Sequence, residues 1–182
     1  MVKTPTNILQ TKISIVFLMF RYYIIIKEVD SLNTWEGFKM SVDKNNAMKL
    51  WQDVFGNVLW ASDCFGTYIY KDDYGDYDKQ RIRPNGTGKS FNYGWDVDHI
   101  RPKSNFQNEN DADFWNNYEP MHRENNVAKS DAYPHFEIKN LKYKIVTCDV
   151  CAAQGYKGYG ILSETSGKRI DWKGTKNRCY KA

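Results

Sequence analysis

Asp98 and His99 stand side by side in the stretch GWDVDHIRPKSNFQNENDADFWNNYEPMHRENNVAKSD, residues 94–131, which also carries Asn117, Asn126 and Lys129. A carboxylate and an amide oxygen are hard ligands that suit Mg²⁺ or Mn²⁺ better than a soft-ligand zinc site. Such an ion can neutralise phosphate charge and stabilise a departing oxygen. A neighbouring histidine can accept a proton from water, because its reference pKa of about 6.5 is close to working pH. A lysine supplies a cation for phosphate. Together these groups suit phosphodiester hydrolysis. Singly, each has a structural explanation: Asp98 a turn residue, His99 a core histidine, Asn126 a helix cap.

Positioning them requires a strand, a loop and a helix. Trp95, Val97 and His99 alternate with Asp96 and Asp98, the period-two pattern of a strand. Pro102 ends any regular ladder because it has no N–H to donate. Adjacent strand residues face opposite ways, so Asp98 and His99 can converge on one phosphate only where the strand twists or ends. A polar loop follows, in which Asp113 is placed to cap a short turn with Phe114 and Trp115. After Pro120, the run 121–131 predicts a helix with His122, Asn126 and Lys129 on one face.

The series Asp98-His99-Ile100-x-Pro102, Asn117-x-x-Pro120 and Asn126-x-x-Lys129 resembles the HNH nuclease family, whose fold is the ββα-metal (His-Me finger) core. The asparagine in the last slot is the variant also seen in the HNH domain of RNA-guided CRISPR nucleases. The wording is similar, too, to small stand-alone bacterial and phage HNH proteins. The likeness covers roughly residues 93–131, with a weaker echo from Trp51 through Asp63-x-x-Gly66 and Tyr74-Gly75. It implies an α+β chain with short strands and helices flanking that core. It further implies an endonuclease that cleaves DNA. His99 would be the general base, and Asp98 and Asn126 would hold one Mg²⁺ or Mn²⁺. Asn117 would brace the loop and orient His99. Lys129, Arg101 and Lys103 would contact nucleic acid. A nuclease toxin, an RNA-directed nuclease and a binding module without catalysis are the alternatives. Many relatives carry Gly-Gly in the loop where this chain has the Asn-rich stretch 105–110, and two CxxC pairs for a structural zinc that this chain lacks. The core is therefore expected to be held by Trp95, Phe114, Trp115, Tyr118 and Met121, with His122 packed or facing solvent.

The flanks divide the chain into an N-terminal extension, 1–39, a nuclease domain, 40–131, and a basic C-terminal extension with short strands, 132–182. Residues 46–131 carry 10 Lys/Arg against 14 Asp/Glu, whereas 132–182 carry 10 against 4. An acidic middle beside a basic tail fits a metal site next to a polyanion-binding surface. In the tail, Tyr and Trp are interleaved with Lys and Arg, and Thr165-Ser166-Gly167-Lys168 marks a hairpin turn. Cys148-Asp-Val-Cys151 has zinc-knuckle spacing but no second pair follows, so ordinary semi-buried cysteines are expected and a structural zinc is not. Asn85–Ser90 echoes a phosphate-binding loop, but Arg83 stands where the required first glycine would be, which excludes an ATPase reading. The apolar run 13–26 is broken by Arg21 and is too short for a confident membrane span. Translation is expected to begin at Met40, and the protein to be cytoplasmic, with no small-molecule cofactor. Oligomeric state stays open.

Overall fold

The computed structural model describes residues 42–179. The expectations about residues 1–39 lie outside the described residues, which all fall within one compact unit. Helix α1, Lys44–Phe55, starts where the Asp43 carboxylate accepts the Asn46 N–H at 2.8 Å and ends at Gly56, whose φ of +75° suits a residue without Cβ. Ala47, Leu50, Trp51 and Val54 recur on one face and are buried, with Trp51 5.0 Å from the ring of Trp95.

Two small antiparallel hairpins follow, β1 (Trp60–Ser62) with β2 (Tyr68–Tyr70) and β3 (Gln80–Ile82) with β4 (Ser90–Asn92). The turn between β1 and β2 is built on Asp63. Its Oδ1 accepts the Phe65 and Thr67 N–H groups, while Oδ2 accepts His122 N–H and Asn125 Nδ2 from far along the chain.

The central unit is β5, Trp95–His99, paired antiparallel with β6, Tyr118–His122, so that Asp98 faces Glu119 and His99 faces Tyr118 across the ladder. Helix α2, Arg123–Lys129, follows β6 without a break. The helix is shorter than the predicted run 121–131, because Met121 and His122 belong to the strand. His122 Nδ1 instead accepts the Glu124 N–H and caps the helix, and the residue is buried.

The tail forms a three-stranded antiparallel sheet, β7 (His135–Ile138), β8 (Leu141–Thr147) and β9 (Tyr159–Ser163). Short helices α3, Asp149–Ala153, and α4, Trp172–Lys176, flank β9 in sequence. Beyond the 165–168 turn the return is a single bridge from Leu162 to Arg169 rather than a second long strand. The sheet is not an appendage. Ile100 and Met121 share one core with Phe136, Ile138, Tyr143, Ile145, Tyr159 and Ile161. The aromatic residues expected to hold the centre together are divided: Trp95 packs with Trp51, Tyr118 with Trp172, and Met121 with the tail sheet. The described residues thus make an α+β structure in which every strand pairing is antiparallel. Among them no helix is long and apolar enough to cross a membrane.

A buried charge network pins the last helix to β6. Asp171 caps α4 and receives Arg169 Nε and Nη2 at 2.6 and 2.7 Å, while Lys173 lies 3.8 Å from Glu119 and donates to the Tyr118 carbonyl. Burial raises the Asp171 carboxyl, but Arg169 and Lys173 outweigh it and hold the group below its ordinary range. Its contribution to stability is therefore complete above about pH 4, its unfolded value, and is lost as acid titrates it in the folded chain. Arg169→Ala strips the bidentate partner from a fully buried carboxylate, and urea unfolding is expected to show a loss of about 3–5 kcal/mol.

Candidate active site

Strand β5 stops at His99. The next amide, Ile100 N–H, donates to the Asn117 carbonyl at 2.8 Å, and the chain turns at Pro102 into a 3₁₀ turn over Lys103–Asn105. Ending the strand here lets neighbours meant for opposite faces turn toward one space. Asp98, His99, Lys103, Asn126 and Lys129 all line a single cleft of about 290 Å³ between the end of β5 and α2.

Asp98 is 5% exposed. Its Oδ1 accepts Lys129 Nζ at 2.9 Å, and the same ammonium donates to the His99 carbonyl at 2.9 Å. Lys129 itself is 1% exposed, so the charge expected to meet phosphate is spent inside the fold, on the carboxylate and on the backbone of the strand end. Asp98 Oδ2 is different: it is buried and has no hydrogen-bond partner among the described residues. A buried carboxylate oxygen without a donor costs on the order of 1–3 kcal/mol or more, so such an atom calls for a partner from outside the protein. The Asn126 side chain on α2 is half-buried and lines the same cleft. A carboxylate oxygen and an amide oxygen are the donors a Mg²⁺- or Mn²⁺-sized hard cation prefers, and the orphaned Oδ2 fits that role.

His99 is held by a residue whose part the sequence did not disclose. Its Nε2 lies 2.7 Å from Asp113 Oδ1, and Asp113 also accepts Lys103 Nζ at 2.8–2.9 Å and the Tyr118 hydroxyl at 3.3 Å. Burial lowers the His99 pKa below its ordinary value. The bond to Asp113 offsets part of that, and the nearby Lys103 charge adds to the lowering. Asp113 is pushed up by burial but pulled further down by Lys103 and His99, so it is a carboxylate at neutral pH. A carboxylate accepts only, which requires Nε2 to carry the proton of a neutral ring. The basic lone pair is then on Nδ1. The Tyr118 ring stands edge-on to the imidazole, with centroids 5.0 Å apart, and limits its rotation.

The other expected residues are placed as follows. Asn117 is buried, and its side chain closes the loop 101–117 on itself: Oδ1 accepts Arg101 N–H at 2.9 Å, while Nδ2 donates to the Arg101 and Ala112 carbonyls at 3.1 and 3.0 Å. It braces the loop as expected, whereas the imidazole's own partner is Asp113. Arg101 does not reach into the cleft; its guanidinium donates to Tyr159 Oη and the Asn105 carbonyl and lies 4.4 Å from the Phe106 ring centroid. Lys103 stays at the rim, 41% exposed while paired to Asp113. His122 is turned away, its Nε2 3.3 Å from the Asn92 carbonyl. Asp113 does not cap the following turn, whose cap position is Phe114. Two aspartates were thus missed in their roles, Asp113 and Asp63. Each lies in a turn-rich segment where aspartate is common, and only contacts distant in sequence reveal what it holds.

Asn117→Ala removes three hydrogen bonds and leaves buried backbone groups at both ends of the loop unpaired. A destabilisation of about 3 kcal/mol is expected in denaturant unfolding, with His99 losing its fixed position. Compared with known proteins, the chain matches no family model, no curated protein and no solved structure.

Proposed function

We propose that the protein is a metal-dependent endonuclease of the HNH type, with β5, β6 and α2 as its ββα-metal core, hydrolysing phosphodiester bonds in DNA in the cytoplasm. The observation that carries this reading is a pairing within one cleft. A buried Asp98 oxygen lacks any donor among the described residues, and next to it stands a neutral histidine whose tautomer is set by a carboxylate. Either feature alone has a structural use; together they supply a cation site and a base within reach of one phosphate.

Each residue has one task in this reading. Asp98 Oδ2 and the Asn126 amide oxygen would hold Mg²⁺ or Mn²⁺, with Lys129 orienting the Asp98 carboxylate from behind. The bound ion would supply charge neutralisation at the phosphate and stabilisation of the leaving oxygen. His99 Nδ1 takes the proton from the attacking water, and the imidazolium so formed is stabilised by Asp113, its partner at Nε2. Lys103, half-exposed at the rim, is the cation left near enough to meet a phosphate while steadying Asp113. The excess of Lys and Arg in residues 132–182 supports a polyanionic substrate.

The test is cleavage of supercoiled plasmid by the purified chain with Mg²⁺ or Mn²⁺. Nicked or linear product is expected, and it should vanish with EDTA and in His99→Ala. Intact plasmid with both metals would overturn the DNA reading, and a parallel arm with RNA would show whether the substrate class alone is at fault. The pH dependence follows from burial of His99. A base acts only when unprotonated, and its folded pKa lies below 6.5, so the rate should hold down to that pH and fall only beneath it. Asp113→Asn keeps the shape but removes the charge that holds the imidazolium. The expected loss in kcat is roughly 10²–10⁴-fold, by analogy with the buried aspartate of hydrolase triads, with little change in circular dichroism.

A further inference from the structure

Cys148, Cys151 and Cys179 meet in a small buried cluster away from the Asp98–His99 cleft. Their sulfur atoms all lie within 4.8 Å of one another. Cys151 and Cys179 are joined as a disulfide, and Cys148 Sγ lies 3.6 Å from Cys179 Sγ. That pairing accounts for two of three sulfurs and leaves the third, fully buried, pressed against the bond. The geometry points to a different use in the reduced chain: we propose that Cys148, Cys151 and Cys179 bind a zinc ion through three thiolates, with a water in the fourth position.

Four observations support a site rather than a chance cluster. First, Cys148-x-x-Cys151 spans the first turn of α3, and the Cys151 N–H donates to Cys148 Sγ at 3.3 Å, which aims that sulfur at the cluster. Second, tetrahedral zinc with Zn–S near 2.3 Å sets sulfurs roughly 3.8 Å apart, and Cys148 and Cys179 already stand at 3.6 Å. Reducing the disulfide lets Cys151 and Cys179 separate to the same spacing. Third, a cation stands near the cluster: Arg169, whose guanidinium is hydrogen-bonded to Asp171 and Asp149, also interacts with Cys148. Fourth, the backbone makes room: a Cβ on Gly158 would sit 2.5 Å from Cys151 Sγ, so only glycine lets the chain entering β9 pass the sulfurs.

Such an ion would tie the end of β8 and the start of α3 to the segment after α4, closing in the reduced chain the 28-residue separation that the Cys151–Cys179 disulfide spans when oxidised. The site uses none of the residues proposed for catalysis and stands or falls independently of the nuclease reading.

The full chain, reduced with a phosphine and freed of metal, should take up one equivalent of Co²⁺ or Zn²⁺ per chain. Cobalt should show a thiolate-to-metal charge-transfer band in the near ultraviolet together with the visible bands of tetrahedral coordination. The charge-transfer band reports sulfur ligands, so cobalt bound at Asp98 and Asn126 would not mimic it. Binding should release about one proton per thiol. The band should be lost in Cys148→Ser and in Cys179→Ser, each reduced variant being shown by circular dichroism to be folded. It should survive in Cys64→Ser, because Cys64 lies outside the cluster. A reduced, folded chain that shows no charge-transfer band, or a band that persists in Cys148→Ser, would overturn the proposal and leave the cluster as a disulfide with a packed third cysteine.

Discussion

Lys129 and Asp98 meet 2.9 Å apart with both side chains buried, and the geometry of the cleft depends on that contact. Burying two charges costs several kcal/mol each, which close contact and further hydrogen bonds must repay. Lys129 finds a second acceptor in the His99 carbonyl, so one ammonium fixes both the carboxylate and the backbone that carries the imidazole. Among the described residues, Asp98 finds a hydrogen-bond partner for one oxygen only. A pair so incompletely satisfied is costly in a protein that has no use for it, and becomes an asset where a cation completes the shell.

A second chain of contacts fixes the imbalance on the other side of His99. Lys103, Asp113 and the imidazole form a relay in which each charge sets the state of the next: the ammonium keeps the carboxylate ionised, and the carboxylate keeps the proton on Nε2. The relay requires Asp113 to arrive 14 residues after His99 at the right distance. Asn117 secures this by bonding to both Arg101 and Ala112, which turns a long polar loop into a closed frame. The Asn-rich composition of 105–110, with no apolar side chain but Phe106, makes sense in such a loop. Its amides bond locally to the backbone, as Asn108 does to the Asn110 N–H.

The tail completes the molecule from behind. β6 carries buried Glu119 and Tyr118 toward Lys173 and Trp172, so the strand that pairs with β5 is anchored by charge on one side and by Ile100, Met121 and the tail sheet on the other. Glu119 sits directly opposite Asp98 in the ladder, and burial, more than any neighbouring charge, raises its carboxyl well above the usual range. The basic tail is thus part of the scaffold that holds the site, and several of its cations, Arg169 and Lys173 first among them, are consumed internally.

Local pattern was enough to read the strand 95–99, its end before Pro102 and a helix bearing Asn126, because period and proline chemistry act over a few residues. Asp98, His99 and Asn126, singled out by the resemblance of their spacing to a known family, line one cleft because they sit on a strand end and a helix close in sequence. Contacts between distant segments had to await the fold. Asp113 is one of several acidic residues in a polar loop, and nothing in its neighbours singles it out for His99. Lys129 looks like a surface cation until α2 packs on β5 and buries it against Asp98. Residues 132–182 read as an extension until Ile100 and Met121 are seen to share their core. Cys179 has no partner motif of its own, and only the return of the chain past β9 brings it to Cys148 and Cys151. Local periodicity sets which face a side chain takes, but which partner it meets there is decided by loop closure and packing over the whole chain.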